Sequence, residues 1–192
     1  MSRFLSAIHY FMYNKIKYLD WINRDLLEKF DLEEKREEVL RYAGSLEEGN
    51  LEDIINLENI HGWINQNISI VELGLAKTVD LILEKNNLDD IKDYFYKLGL
   101  EEGKKIEKPI QVFEKLNERF LDGMPCDRAL ELLKENEDGI AWRENLEIHS
   151  KFWQDKGVIY RELRNNFVKG LCKSYNLNYI DSSDIKEVKC TV

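Results

Sequence analysis

From Ile8 to Phe30 the apolar residues return in steps of three and four: Ile8, Met12, Ile16, Leu19, Ile22, Leu26, Phe30. That period places them along one side of a helix of about six turns. A second stripe runs Leu57, Ile60, Ile64, Ile68, Val71, Leu75, Val79, Ile82, and predicts a helix from near Leu51 to Lys85. Neither stripe can be buried without a partner element, so the two helices are expected to pack on one another. Only 2 prolines and 10 glycines interrupt the chain, too few for a sandwich with a turn every ten residues or so. Shorter helices are expected over 88–98, 109–121, 126–135 and 139–155. A last one carries Ile159, Leu163, Phe167 and Leu171. The predicted fold is all-α: an antiparallel up-down helical bundle with additional short helices, spanning 1–176. Residues 177–192 form a tail packed on or trailing from it, read as either a strand or an irregular arm.

Apolar residues make up 43% of the 192, which supplies a core and excludes wholesale disorder. The formal net charge of −9 disfavours nucleic acid as a partner, because an enveloping phosphate-binding surface would be basic. Cys126, Cys172 and Cys190 are far apart and form no CxxC pair, which fits a reducing, cytoplasmic setting. The apolar stretch Phe4–Tyr13 is interrupted by His9, has only Arg3 before it, and leads to no small-residue cleavage site, so no signal peptide is expected. No run of about 20 apolar residues is present to span a membrane.

Three histidines are the most informative local feature. On the expected second helix His61 falls close to the centre of the apolar stripe, with Ile64 and Ile68 beyond it. His149 shares a spacing with Trp142, Leu146 and Trp153, and His9 borders the first stripe. Imidazoles converging from different helices are the usual way a bundle core builds a metal site, and three nitrogens plus water leave an open coordination position. Glu58-x-x-His61 has the spacing with which ferritin-like bundles place two metal ligands on one helix. It occurs once here, where those bundles use it twice. The trio is also similar to the DinB-like metal-binding bundles, without their pair of histidines four apart. His61, His149, His9 and Glu58 are therefore the candidate ligands for one divalent transition metal. The plainer alternative is that they are core or boundary histidines with one nitrogen hydrogen-bonded.

Asp122-Gly123-Met124-Pro125-Cys126-Asp127 precedes an expected helix, so Cys126 would sit where a helix dipole favours thiolate and is the candidate nucleophile. Without that chemistry, Pro125 and Asp127 simply start a helix. Residues 31–60 carry ten acids against three bases, and residues 151–175 carry six bases against two acids. Arg161 and Arg164, on the basic helix, are candidates for an anionic ligand. Asp89-Asp90-x-x-Asp93 matches an aspartate-rich magnesium motif, yet a helix start accounts for it. Two functions follow. The first is a buried, histidine-lined site for a divalent metal or small ligand. The second is a non-catalytic interaction protein that meets a partner, or a second copy as a homodimer, through the acidic 31–60 segment or the aromatic first helix (Tyr10, Phe11, Tyr13, Tyr18, Trp21).

Overall fold

The computed structural model describes residues 5–123 and 127–191. The chain divides into two compact units, Met1–Asn86 with Arg119–Leu121, and Asn87–Glu118 with Asp122–Val192. The first contains helices α1 (Ala7–Lys29), α2 (Arg36–Ala43), α3 (Leu51–Ile54) and α4 (Ile60–Leu83). The second contains α5 (Leu88–Glu102), most of α6 (Pro109–Arg119), α7 (Ser150–Trp153) and α8 (Gly157–Ser174), with four strands.

In the first unit the two long stripes meet: Met12, Ile16, Ile22 and Leu26 of α1 and Ile64, Val79 and Ile82 of α4 are buried, and the helices pack along one another. Burial of side chains of this kind contributes roughly 1.5–3 kcal/mol each. The second stripe begins later than its period implies. Asn56 Oδ1 accepts from the Glu58 and Asn59 amides (2.9 and 3.2 Å), which closes a turn, and Asn59 then caps α4 by accepting from the Gly62 amide (3.1 Å). Asparagine side chains that mimic backbone in this way favour turns over helix interiors. Leu57 therefore lies in a turn and is exposed.

The all-α expectation is corrected by the second unit, which holds a four-stranded antiparallel sheet in the order β1-β2-β4-β3. β1 (Leu130–Asn136) and β2 (Gly139–Glu144) form one hairpin; β3 (Leu177–Ser182) and β4 (Ile185–Cys190) form another. The sheet also makes the molecule more than a helical bundle. Residues 130–136, Leu-Glu-Leu-Leu-Lys-Glu-Asn, are mostly good helix formers, and pairing with β2 overrides that preference. Asn136 fixes the turn, its Oδ1 accepting from the Asp138 and Gly139 amides (3.2 and 2.9 Å). The tail is thus the second hairpin, turned at Ser183 with a positive φ of 58°. Its β4 is an inner strand that pairs β2 in the register Ile140↔Val188 and Trp142↔Lys186. The buried face carries Ile140, Trp142, Glu144, Lys186 and Val188, while Arg143 and Lys189 are exposed. Helix α8 packs on α5 and on β3, and Phe113 of α6 meets Trp142 edge-on at 6.0 Å.

The α5 start accounts for its aspartates. Asn87 accepts from the Asp90 amide (3.1 Å) and Asp90 accepts from the Asn87 amide (3.2 Å), a reciprocal cap. Asp89 and Asp93 pair with Lys92 and Lys97 at 2.7 and 2.6 Å.

Candidate functional site

Two places hold candidate groups, a pocket in the first unit and a buried ion network in the second. In the first, a pocket of about 90 Å³ lies among α1, α2, the segment that follows α2, and α4. Leu27, Val39, Ile70 and Val71 supply its apolar wall, and Asp20, Asn23, Arg24, Arg36 and Glu48 its polar groups. Asn23 is 7% exposed. Its Nδ2 donates to the Val71 carbonyl at 3.1 Å, while its Oδ1 accepts no hydrogen bond from any described residue. A buried acceptor left without a donor costs about 1–3 kcal/mol. Gly74 sits opposite, where a Cβ would come within 2.9 Å of Asn23 Nδ2, so glycine keeps room for the amide. Burial raises the Asp20 carboxyl above its ordinary range, against the opposing pull of Arg24 (2.6 Å) and Arg36.

In the second unit a chain of charges runs through the interior. Arg164 is fully buried; its Nη2 donates to Asp122 Oδ2 at 3.0 Å, and its Nη1 lies 2.8 Å from Asp122 Oδ1. Its Nε donates to Glu144 Oε1 (3.2 Å), which also accepts from Trp142 Nε1 (2.9 Å). Lys186 Nζ lies 4.0 Å from Glu144 Oε2 and 2.5 Å from Asp181, and donates to the Ser183 carbonyl. Asn165 donates to Asp181 (2.6 Å) and accepts from Tyr179 (2.9 Å). Burial opposes the Arg164 charge, but the Asp122 and Glu144 carboxylates outweigh it and hold the guanidinium protonated even more firmly than usual. Burial, reinforced by Glu144 and Asp181, also pushes the Tyr179 phenol well up. This network ties the loop after α6, the ends of β2 and the second hairpin, and α8 into one piece.

His9 and His61 approach one another in the first unit, ring centroids 6.1 Å apart. His9 is buried, but its Nδ1 accepts from the Ser6 amide at 2.9 Å. That bond places the ring proton on Nε2, the tautomer with no lone pair there for a metal. His61 is exposed, one residue inside α4, and Glu58 precedes the cap, so the two do not share a helix face. His149 belongs to the second unit, buried, with Nε2 3.7 Å from Asp122 Oδ1 and its ring 4.2 Å from that of Tyr160. Among the described residues no group of three or more His, Cys, Asp or Glu side chains is placed to hold a metal ion. Arg164 spends its charge on Asp122 and Glu144, and Arg161 is exposed. Cys126 lies outside the described residues. Cys172 is buried, and burial raises its thiol to about 12, which keeps it protonated.

The acidic segment is partly tied down. Glu38 binds Lys77 at 2.7 Å and Lys35 at 3.2 Å, which lowers its pKa, and Glu52 accepts from Tyr10 (2.6 Å). Tyr13 of the aromatic helix is buried against the Gly49 carbonyl (2.9 Å), whereas Trp21 is 45% exposed.

Sequence reasoning missed Asn23, Asp20, Asp122, Glu144 and Lys186. Asn23 was detectable as a polar residue one step from Ile22 on a buried face; the other four carry no periodic signal. No described helix is long and apolar enough to cross a membrane. The chain matches no protein-family model, no curated protein and no solved structure.

Proposed function

We propose that the chain is a non-catalytic binding protein whose first unit takes a small polar ligand into the pocket among α1, α2 and α4. One observation carries this reading. Asn23, which lines the pocket, is buried and keeps an acceptor, Oδ1, that no described residue satisfies, with the Asp20 carboxyl one helical turn before it in the same lining. Buried polar groups are otherwise hydrogen-bonded in folded proteins, so an orphaned one at a cavity wall marks a place for an exogenous partner. The ion network of the second unit serves in this reading as the scaffold of the sheet, its charges paired among themselves.

Methyl-labelled protein titrated with cationic, neutral and anionic fragments tests the proposal. Saturable shifts of the Leu27, Val39, Ile70 and Val71 methyls are expected with at least one class, and Ala43→Leu, which fills the pocket, is expected to abolish them. If no class moves these methyls at tens of millimolar, the reading is wrong.

A further inference from the structure

One wall of the pocket is neither helix nor strand. Between the end of α2 at Ala43 and the start of α3 at Leu51, residues 44–50 run without regular structure, and Gly44, Ser45, Leu46 and Glu48 of this stretch line the cavity. The Gly44 amide donates to the Leu40 carbonyl and closes α2, but the amides of residues 45–50 donate to no described residue. Leu46 is the one apolar side chain of the stretch and is half-buried, while Ser45, Glu47 and Glu48 are exposed. Two polar contacts fasten the far end to α1. Tyr13 Oη donates to the Gly49 carbonyl at 2.9 Å, and Glu48 lies 3.8 Å from Arg24 with its side chain 83% exposed. An ion pair so open to solvent holds little.

Each end of the stretch carries a glycine at a backbone angle that other residues rarely adopt, φ 97° at Gly44 and 156° at Gly49. A Cβ would fall 3.2 Å from Ile70 Cγ1 at the first and 2.9 Å from Ile54 Cγ2 at the second. Hinge motions are absorbed by a few such positions at the ends of elements. A stretch with few apolar contacts and a solvated backbone also lies at the low end of local stability.

We propose that residues 45–48 are a hinged strap, which swings off the pocket about Gly44 and Gly49 while α1, α2 and α4 stay packed, and that a ligand enters by this opening. As a route of entry it rests on the binding reading above; as a motion it needs no ligand. Opening gives up one half-buried leucine, one hydrogen bond and one exposed ion pair, far less than unfolding the unit.

A buried thiol reports the motion directly. Val39 lines the pocket and is 6% exposed, and Val39→Cys is a small change in size. Dithiobis(nitrobenzoate) is too large for a cavity of about 90 Å³, so it reaches residue 39 only when the wall moves. Peptide mass separates that modification from any at Cys126, Cys172 or Cys190. The labelling rate is expected to be nearly independent of urea below the unfolding transition, because opening the strap exposes little surface. Tyr13→Phe removes the fastening at Gly49 and is expected to raise the rate about two- to tenfold, the equilibrium equivalent of one hydrogen bond. If Val39→Cys does not fold, Ile70→Cys beneath Gly44 reads the same opening. A rate that climbs with urea as steeply as global unfolding overturns the strap, and so does a rate that Tyr13→Phe leaves unchanged. Neither result touches the pocket reading, which stands or falls on its fragment titration. Fragments that stay silent while residue 39 is labelled without urea dependence overturn the binding reading and the route of entry, and leave the motion established.

Discussion

Arg164 has no water to fall back on: it is fully buried, and so nearly are Asp122 and Glu144. Desolvating such charges is expensive, and their mutual attraction offsets that cost only when they lie close, as Arg164 does to both Asp122 oxygens. Removing the cation alone should be far worse than removing the whole cluster. Arg164→Met is expected to lower stability by about 3–5 kcal/mol, with Asp122→Asn and Glu144→Gln added to it restoring part of the loss. Urea unfolding of the native protein and the two variants checks this; equal losses in the single and the triple variant would show that packing, not charge, dominates. Arg164 was visible in the sequence as a base on a basic helix, and there the visible part ended. Its partners lie 42 and 20 residues away, and no periodicity links a helix residue to a loop aspartate and a strand glutamate. The histidines show the converse: the helical period holds for Ile60, Ile64 and Ile68, yet His61 on the first turn of α4 is exposed.

Helices α5 and α8 touch backbone to backbone. A Cβ on Gly99 would fall 2.0 Å from the Phe167 carbonyl oxygen, and one on Gly170 would fall 2.1 Å from that of Tyr96. Lys92–Glu162 at 3.1 Å and Ser174 Oγ donating to the Leu100 carbonyl at 2.8 Å hold the same pair. Glycine inside a helix ordinarily costs up to about 1 kcal/mol relative to alanine. Here the sign reverses, because alanine would have to force two backbones apart. Gly170→Ala is expected to destabilise by about 1–3 kcal/mol in chemical denaturation, the cost of overpacking. A gain in stability would mean that the helices separate freely. Such contacts are not legible from one sequence, where both glycines read as breaks or neutral positions. The stripes were legible, since burial acts on every third or fourth residue of α1 and α4. The β1–β2 hairpin was not, because Leu, Glu and Lys supply the helix-forming composition and only the Asn136–Gly139 turn argues against it.

At the scale of the whole molecule the last hairpin takes the strand alternative left open for residues 177–192. A trailing arm could be cut away without consequence. Here Lys186 and Val188 are fully buried on β4, between β2 and β3. Deleting 177–192 would strip β2 of a partner and expose Trp142, Glu144 and Arg164 to water. The shortened chain is expected to lose the near-ultraviolet circular dichroism of Trp142 and the cooperative unfolding of the second unit. An unchanged spectrum and midpoint would restore the view of an arm. The order of the strands also sets a schedule. The sheet's central seam joins residues 139–143 to residues 185–189, with α7 and α8 between them in the chain. Closing so long a loop is slow and brings no ladder bonds until both ends are present. A nascent polypeptide halted between residues 145 and 184 leaves β2 paired on one edge only, with β1, and Glu144 without β4 beside it. During synthesis the second unit therefore waits for β4, open to chaperones and to mispairing with other strands until it arrives.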